Sequence, residues 1–135
     1  MDEQREGIVI RATGGTGTVS EGGAQWRCRV RGRLKKGPKA AQTVVVVGDR
    51  VRFGVLDAES DPPTGVIEEV LPRRNRISRQ AARRSGGHVE QVLMANLDQV
   101  LGVQSLREPA PQAGFIDRLL VAVERFGVRG VLVLN

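Results

Sequence analysis

Residues 7–71 leave no room for a helix of any length, because glycine and proline turn signals interrupt the chain at short intervals. Residues 7–13 read as a strand closed by Gly14-Gly15, and residues 16–20 as a second closed by Gly22-Gly23. Residues 25–33 alternate without a break. Trp26, Cys28 and Val30 fall on one side; Arg27, Arg29, Arg31 and Arg33 fall on the other. Successive side chains leave a strand on opposite faces, so this period marks a half-buried strand. Further strand-like runs are Val44-Val45-Val46-Val47, residues 50–55 after a Gly48-Asp49 turn, and residues 66–71, which Pro72 stops. About five short strands without a helix predict a small all-β antiparallel barrel. Trp26 and Phe53 both alternate with arginines and are expected inside it.

The pattern changes after residue 90. Residues 99–104 form a mostly apolar strand, and residues 105–114 a loop containing proline. Phe115, Ile116, Leu119, Leu120, Val123 and Phe126 then recur at helical spacing, with Asp117 in the first turn and Gly127 as the C-cap. Residues 131–134 are an uninterrupted apolar strand. Strand, helix and apolar strand make a βαβ unit of a parallel sheet. Two strands and one helix leave one face and both edges open, so this unit is expected to be a fragment completed by further chain or by a partner.

Charge divides the chain in the same place. Residues 1–90 carry 17 Lys and Arg against 11 Asp and Glu, whereas residues 91–135 carry 4 of each. Residues 73–90 hold six arginines with no acid before Glu90, and Gly86-Gly87 interrupts any helix, so this stretch reads as a basic connector. The expected division is a barrel at 1–72, a connector at 73–90 and the α/β unit at 91–135. A basic first part faces a polyanion. Arginine donates in bidentate fashion to phosphate, and neutralising phosphates releases counterions. The candidate RNA contacts are Arg27, Arg29, Arg31, Arg33, Lys35 and Lys36 on and after the alternating strand, with Arg73, Arg74, Arg76, Arg79, Arg83 and Arg84. With both early aromatics in the core, binding is expected to follow backbone and shape rather than base stacking.

Other chemistries find little support. Gly14-Gly15-Thr16-Gly17 lacks the G-x-x-x-x-G-K-S/T spacing and lies between two strands, so it reads as a hairpin turn and not a phosphate loop. One cysteine, Cys28, and one histidine, His88, make neither an intramolecular disulfide nor an all-Cys/His zinc site. No Ser/His/Asp set is recognisable, and no catalytic or metal-binding residue is expected. The first residues do not read as a signal peptide, no apolar run approaches the ~20 residues of a membrane helix, and a cytoplasmic setting is expected.

The stretches CRVRGRLKK, VVVVGDRVRF, TGVIEEVLPRRNRISR, MANLDQVLGVQS, GFIDRLLVAVERFGV and VLVLN, in this order, resemble the ribosome-small-subunit-dependent GTPases, the RsgA/YjeQ family. The resemblance implies an OB-fold barrel, then a circularly permuted P-loop GTPase domain of which residues 91–135 are the opening βαβ unit, then a zinc-binding domain. It implies late maturation of the small (30S) ribosomal subunit, with that subunit and its rRNA as partners. Asn135 aligns with the first residue of the guanine-specifying N-K-x-D motif. The Lys and Asp of that motif, the P-loop, and the Mg²⁺ and Zn²⁺ ligands would follow it. GTP, Mg²⁺ and Zn²⁺ are thus implied for the whole family protein and none for these 135 residues, which are expected to bind without hydrolysing GTP. The alternative is a stand-alone OB-fold RNA-binding protein unrelated to GTPases, which leaves the βαβ unit unexplained.

Overall fold

The structure, a computed structural model, describes residues 4–35, 45–82 and 86–135. Its first five strands are β1 (Gln4–Thr13), β2 (Thr16–Glu21), β3 (Ala24–Val30), β4 (Arg50–Asp57) and β5 (Thr64–Val70). They close into a barrel in the order β1-β2-β3-β5-β4. Glycine pairs with positive φ, Gly14-Gly15 and Gly22-Gly23, turn the two hairpins as expected from the sequence. The closing pair departs from an all-antiparallel barrel: β3 and β5 run parallel, with Arg27 opposite Thr64 and Val30 opposite Ile67. Strand β3 ends in a single 3-10 turn at Gly32–Lys35.

The alternation in β3 does what it predicts. Trp26 and Cys28 are buried, and Arg27 and Arg29 are exposed. Val9, Val19, Val45, Val51, Phe53 and Ile67 complete the core, and the rings of Trp26 and Phe53 lie 5.5 Å apart.

The valine run near 44–47 is not a barrel strand. Val44 lies outside the described residues, and Val45 to Val47 follow an irregular path with one isolated bridge from Val47 to Met94. The Asp49 carboxylate accepts a bond from the Val46 N–H at 2.9 Å and folds the backbone into a turn. Neighbouring side chains then part company: Val45 enters the barrel core, while Val46 packs with Val92 and Ala95.

The basic connector is also ordered differently from its sequence reading. Strands β6 (Arg76–Ala82) and β7 (His88–Ala95) form an antiparallel hairpin separate from the barrel. Its apolar side is short, and Val92 and Ala95 bury it against Val46. Arg76 and Arg79 are both exposed although they leave opposite faces of β6, and the run of charge disguises the strand.

Beyond it, β8 (Gln99–Gln104), α1 (Ala113–Arg125) and β9 (Arg129–Leu134) make the expected βαβ unit, with β8 and β9 parallel, although α1 starts early enough to leave Asp117 past its first turn. The helix lies close on its sheet because Gly102 and Gly130 have no side chain. A Cβ at Gly102 would stand 2.2 Å from Leu119, and one at Gly130 2.8 Å from Val123. Gly127, at φ 64°, ends the helix, and the Val128 N–H closes it onto the Val123 carbonyl at 2.9 Å. Leu101 and Val103, on the sheet face away from the helix, stay exposed.

Candidate nucleic-acid interface

Register places the arginines of β3 within a wider surface. Arg11 on β1 pairs with Thr18 on β2, Thr18 with Arg27 on β3, and Arg27 with Thr64 on β5. Directly opposed residues share a face, so Arg11, Thr18, Arg27 and Thr64 form one row across four strands. Thr13, Thr16 and Arg29 form the next row. Adjacent strands are ~4.8 Å apart and alternate residues of a strand ~6.6 Å apart, so three arginines and several threonines share a patch ~14 Å by ~7 Å. Among the described residues no carboxylate lies within ion-pair distance of Arg11, Arg27 or Arg29. Their charge is therefore uncompensated. Arg11 was not among the candidates from sequence. It follows the apolar run Ile8-Val9-Ile10, and only the register brings it into the row of Arg27.

The other candidates fall into distinct groups. Arg31 is bound to Glu68 at 2.8 Å, Arg74 to Asp98 at 2.7 Å and Arg76 to Glu90 at 3.0 Å, all with substantial exposure. Exposed pairs of this kind contribute ~0–1 kcal/mol, so a phosphate competes for these arginines readily. Arg79 is bonded to the neutral Gln91 at 3.0 Å, and among the described residues no carboxylate pairs with it. Arg73 is engaged within the fold: its guanidinium is bidentate on Asp49, at 2.7 and 2.9 Å, with side-chain exposures of 13% and 0%. The side chains of Arg33 and Lys35, and Lys36, Arg83 and Arg84 entirely, lie outside the described residues.

The hairpin and α1 border an open cleft of about 970 Å³, lined among others by Arg76, Arg79, His88, Arg118 and Arg125. Glu90 moderates its charge. Bonds from Arg76 and from the Ser78 hydroxyl hold the Glu90 carboxyl below the usual carboxylate range. A carboxyl that binds its proton less tightly when folded adds stability above its unfolded pKa and loses it as pH falls through the lowered folded value. Amide exchange in β6 and β7, corrected for intrinsic rates, is thus expected to quicken on acidification more than in the barrel. Equal change in both would contradict this.

Asn135 is exposed just past the carboxyl end of β9. Its N–H donates to the Gln104 carbonyl and its own carbonyl accepts from Leu106, both at 2.8 Å, which holds it beside the end of β8. In open α/β sheets ligands sit at that end of the strands. No group of three His, Cys, Asp or Glu that could hold a metal occurs among the described residues.

A closed five-stranded barrel followed by a hairpin and a parallel βαβ unit defines a class: an OB-fold joined to part of a circularly permuted GTPase domain. Known proteins bear this out. Residues 6–61 match the RsgA N-terminal domain and residues 70–135 the RsgA GTPase. The small ribosomal subunit biogenesis GTPase RsgA of Flavobacterium psychrophilum is 36% identical over 131 residues, covering 96% of this chain and 39% of that protein. The same-named protein of Gemmatimonas aurantiaca is 35% identical, covering 100% and 43%. The crystal structure of YjeQ from Thermotoga maritima superposes with a TM-score of 0.67 at 30% identity, covering 98% of this chain and 41% of that one. The circularly permuted GTPase YloQ shares the fold, with a TM-score of 0.66 at 24% identity and cover of 98% and 40%. The chain belongs to the RsgA/YjeQ family and spans about two-fifths of the length of these relatives.

Proposed function

We propose that this chain serves small-ribosomal-subunit biogenesis as the RNA-docking part of a GTPase. The barrel seats the phosphate backbone of structured 30S rRNA on Arg11, Arg27 and Arg29, while Arg79 and the exposed ends of Arg74, Arg76 and Arg31 extend the contact. The supporting observation is the row of arginines and threonines with no acidic partner among the described residues. Core placement of Trp26 and Phe53 favours reading of shape and backbone over stacking on bases.

The α/β unit contributes a single group, Asn135, to guanine recognition. No phosphate loop occurs in these 135 residues, so selection and hydrolysis of GTP are assigned to parts of the family protein that this sequence does not contain. The chain alone is expected to show no GTP turnover.

Salt titration of binding to purified small subunits, and to an RNA hairpin, tests the docking role. With three to four neutralised phosphates, affinity is expected to fall roughly 40- to 150-fold between ~50 and ~200 mM salt. A flat response would sink the proposal.

A further inference from the structure

Three sequence stretches meet at one place: V-G-D-R-V around Asp49, L-P-R-R-N around Arg73, and A-N-L-D-Q-V around Asn96. The Gly48-Asp49 turn is bonded to the barrel, with the Gly48 N–H on the Val9 carbonyl at 2.8 Å and the Val9 N–H on the Asp49 carbonyl at 2.9 Å. The same turn is bonded to the end of β7. Asn96 donates its side-chain amide to the Gly48 carbonyl at 2.9 Å, and the Ala95 N–H donates to Val47 at 3.0 Å. Contact between the two backbones is direct: Gly48, at φ 92°, would set a Cβ only 1.9 Å from the Ala95 carbonyl oxygen.

The third stretch locks the other two. Arg73 is bidentate on the fully buried Asp49. The Arg74 N–H donates to the Asn96 side-chain oxygen at 2.7 Å. Asn75 and Leu97 exchange two bonds, side chain to backbone, each 2.7 Å. Two residues past Leu97 strand β8 begins. Breaking the Asp49–Arg73 pair would leave a fully buried carboxylate without its partner, a strongly unfavourable state.

We infer that Asp49, Arg73, Asn75 and Asn96 form a rigid coupling that holds the barrel's arginine surface at one orientation to β8, the first strand of the α/β unit. Whatever seats on the barrel is thereby placed at a set distance from the carboxyl ends of β8 and β9. The barrel is not a tethered module. The inference stands whether or not the barrel binds RNA, since it concerns only the seam.

Distance distributions between two spin labels test it in the full chain. Gln25→Cys on β3 and Glu124→Cys on α1 are exposed attachment points. Cys28 does not compete, because it is buried and burial pushes its thiol up to about 11. The parent is expected to give one narrow distribution. Asn96→Gly tolerates the backbone at this position (φ 54°) while deleting the bonds to Gly48 and Arg74, and Asp49→Asn removes the ion pair. Each is expected to widen the distribution about twofold or more, as for domains free to move, with Trp26 emission unchanged. A broad parent distribution, or an unchanged width in Asn96→Gly, overturns the inference. Should Asp49→Asn unfold the barrel, as a red-shifted Trp26 would show, Asn96→Gly alone decides.

Discussion

Replacing Arg27 and Arg29 together by alanine is expected to lower affinity for structured RNA by roughly 10- to 100-fold and to reduce the salt slope by about two. Both side chains stand on the outer face of β3 without a carboxylate partner, so each loses a phosphate contact without freeing a competing acid. Neither touches the core, whose β3 members are Trp26 and Cys28, and the fold should be unaffected. Arg31→Ala makes the informative contrast. Glu68 already holds Arg31, so its removal is expected to cost less than either of its neighbours. Equal losses at all three positions would mean that the ion pair does not restrain Arg31. No loss in the double variant would place RNA binding elsewhere on the molecule.

Phe53→Ala is expected to destabilise the barrel by about 3–5 kcal/mol. Phe53 is fully buried in the middle of β4, with the Trp26 ring 5.5 Å away. The neighbouring strand cannot fill the space left behind, because a β-carbon on Gly65 would already sit 2.8 Å from the Gly54 carbonyl oxygen. A cavity therefore persists, and its cost adds to the lost transfer energy. Against a total stability of about 5–15 kcal/mol for a domain, this is a large fraction. Urea unfolding followed through Trp26 emission measures it directly, and an unchanged m-value would show that the denatured state is not the cause. A loss under about 1 kcal/mol would mean the barrel repacks around the gap.

Where local pattern decides structure, the sequence was legible. Alternation about Trp26 and Cys28 identified β3 and its exposed arginines, and the spacing of Phe115 to Phe126 identified α1. The OB-fold and the partial permuted GTPase unit followed from motif order. Three features were not legible, each for a long-range reason. The parallel closure of β3 on β5 depends on pairing 37 residues apart, Arg27 with Thr64, which no local signal encodes. The hairpin β6–β7 was hidden because its arginines face water and its short apolar side is covered by Val46, a residue from another segment. Availability of each arginine depends on its acid: Glu68 lies 37 residues from Arg31, and Asp49 lies 24 from Arg73. A count of positive charge treats these arginines alike, and folding separates them into uncompensated, exchangeable and interior.

Val45 and Val46 are adjacent in the chain and enter two different hydrophobic cores. A boundary drawn at residue 72 therefore cuts through packing that joins its two sides. A polypeptide severed there would keep all five barrel strands yet strand Asp49 without its guanidinium and Val46 without its cover. Barrel and hairpin thus each complete packing that begins in the other's stretch of sequence.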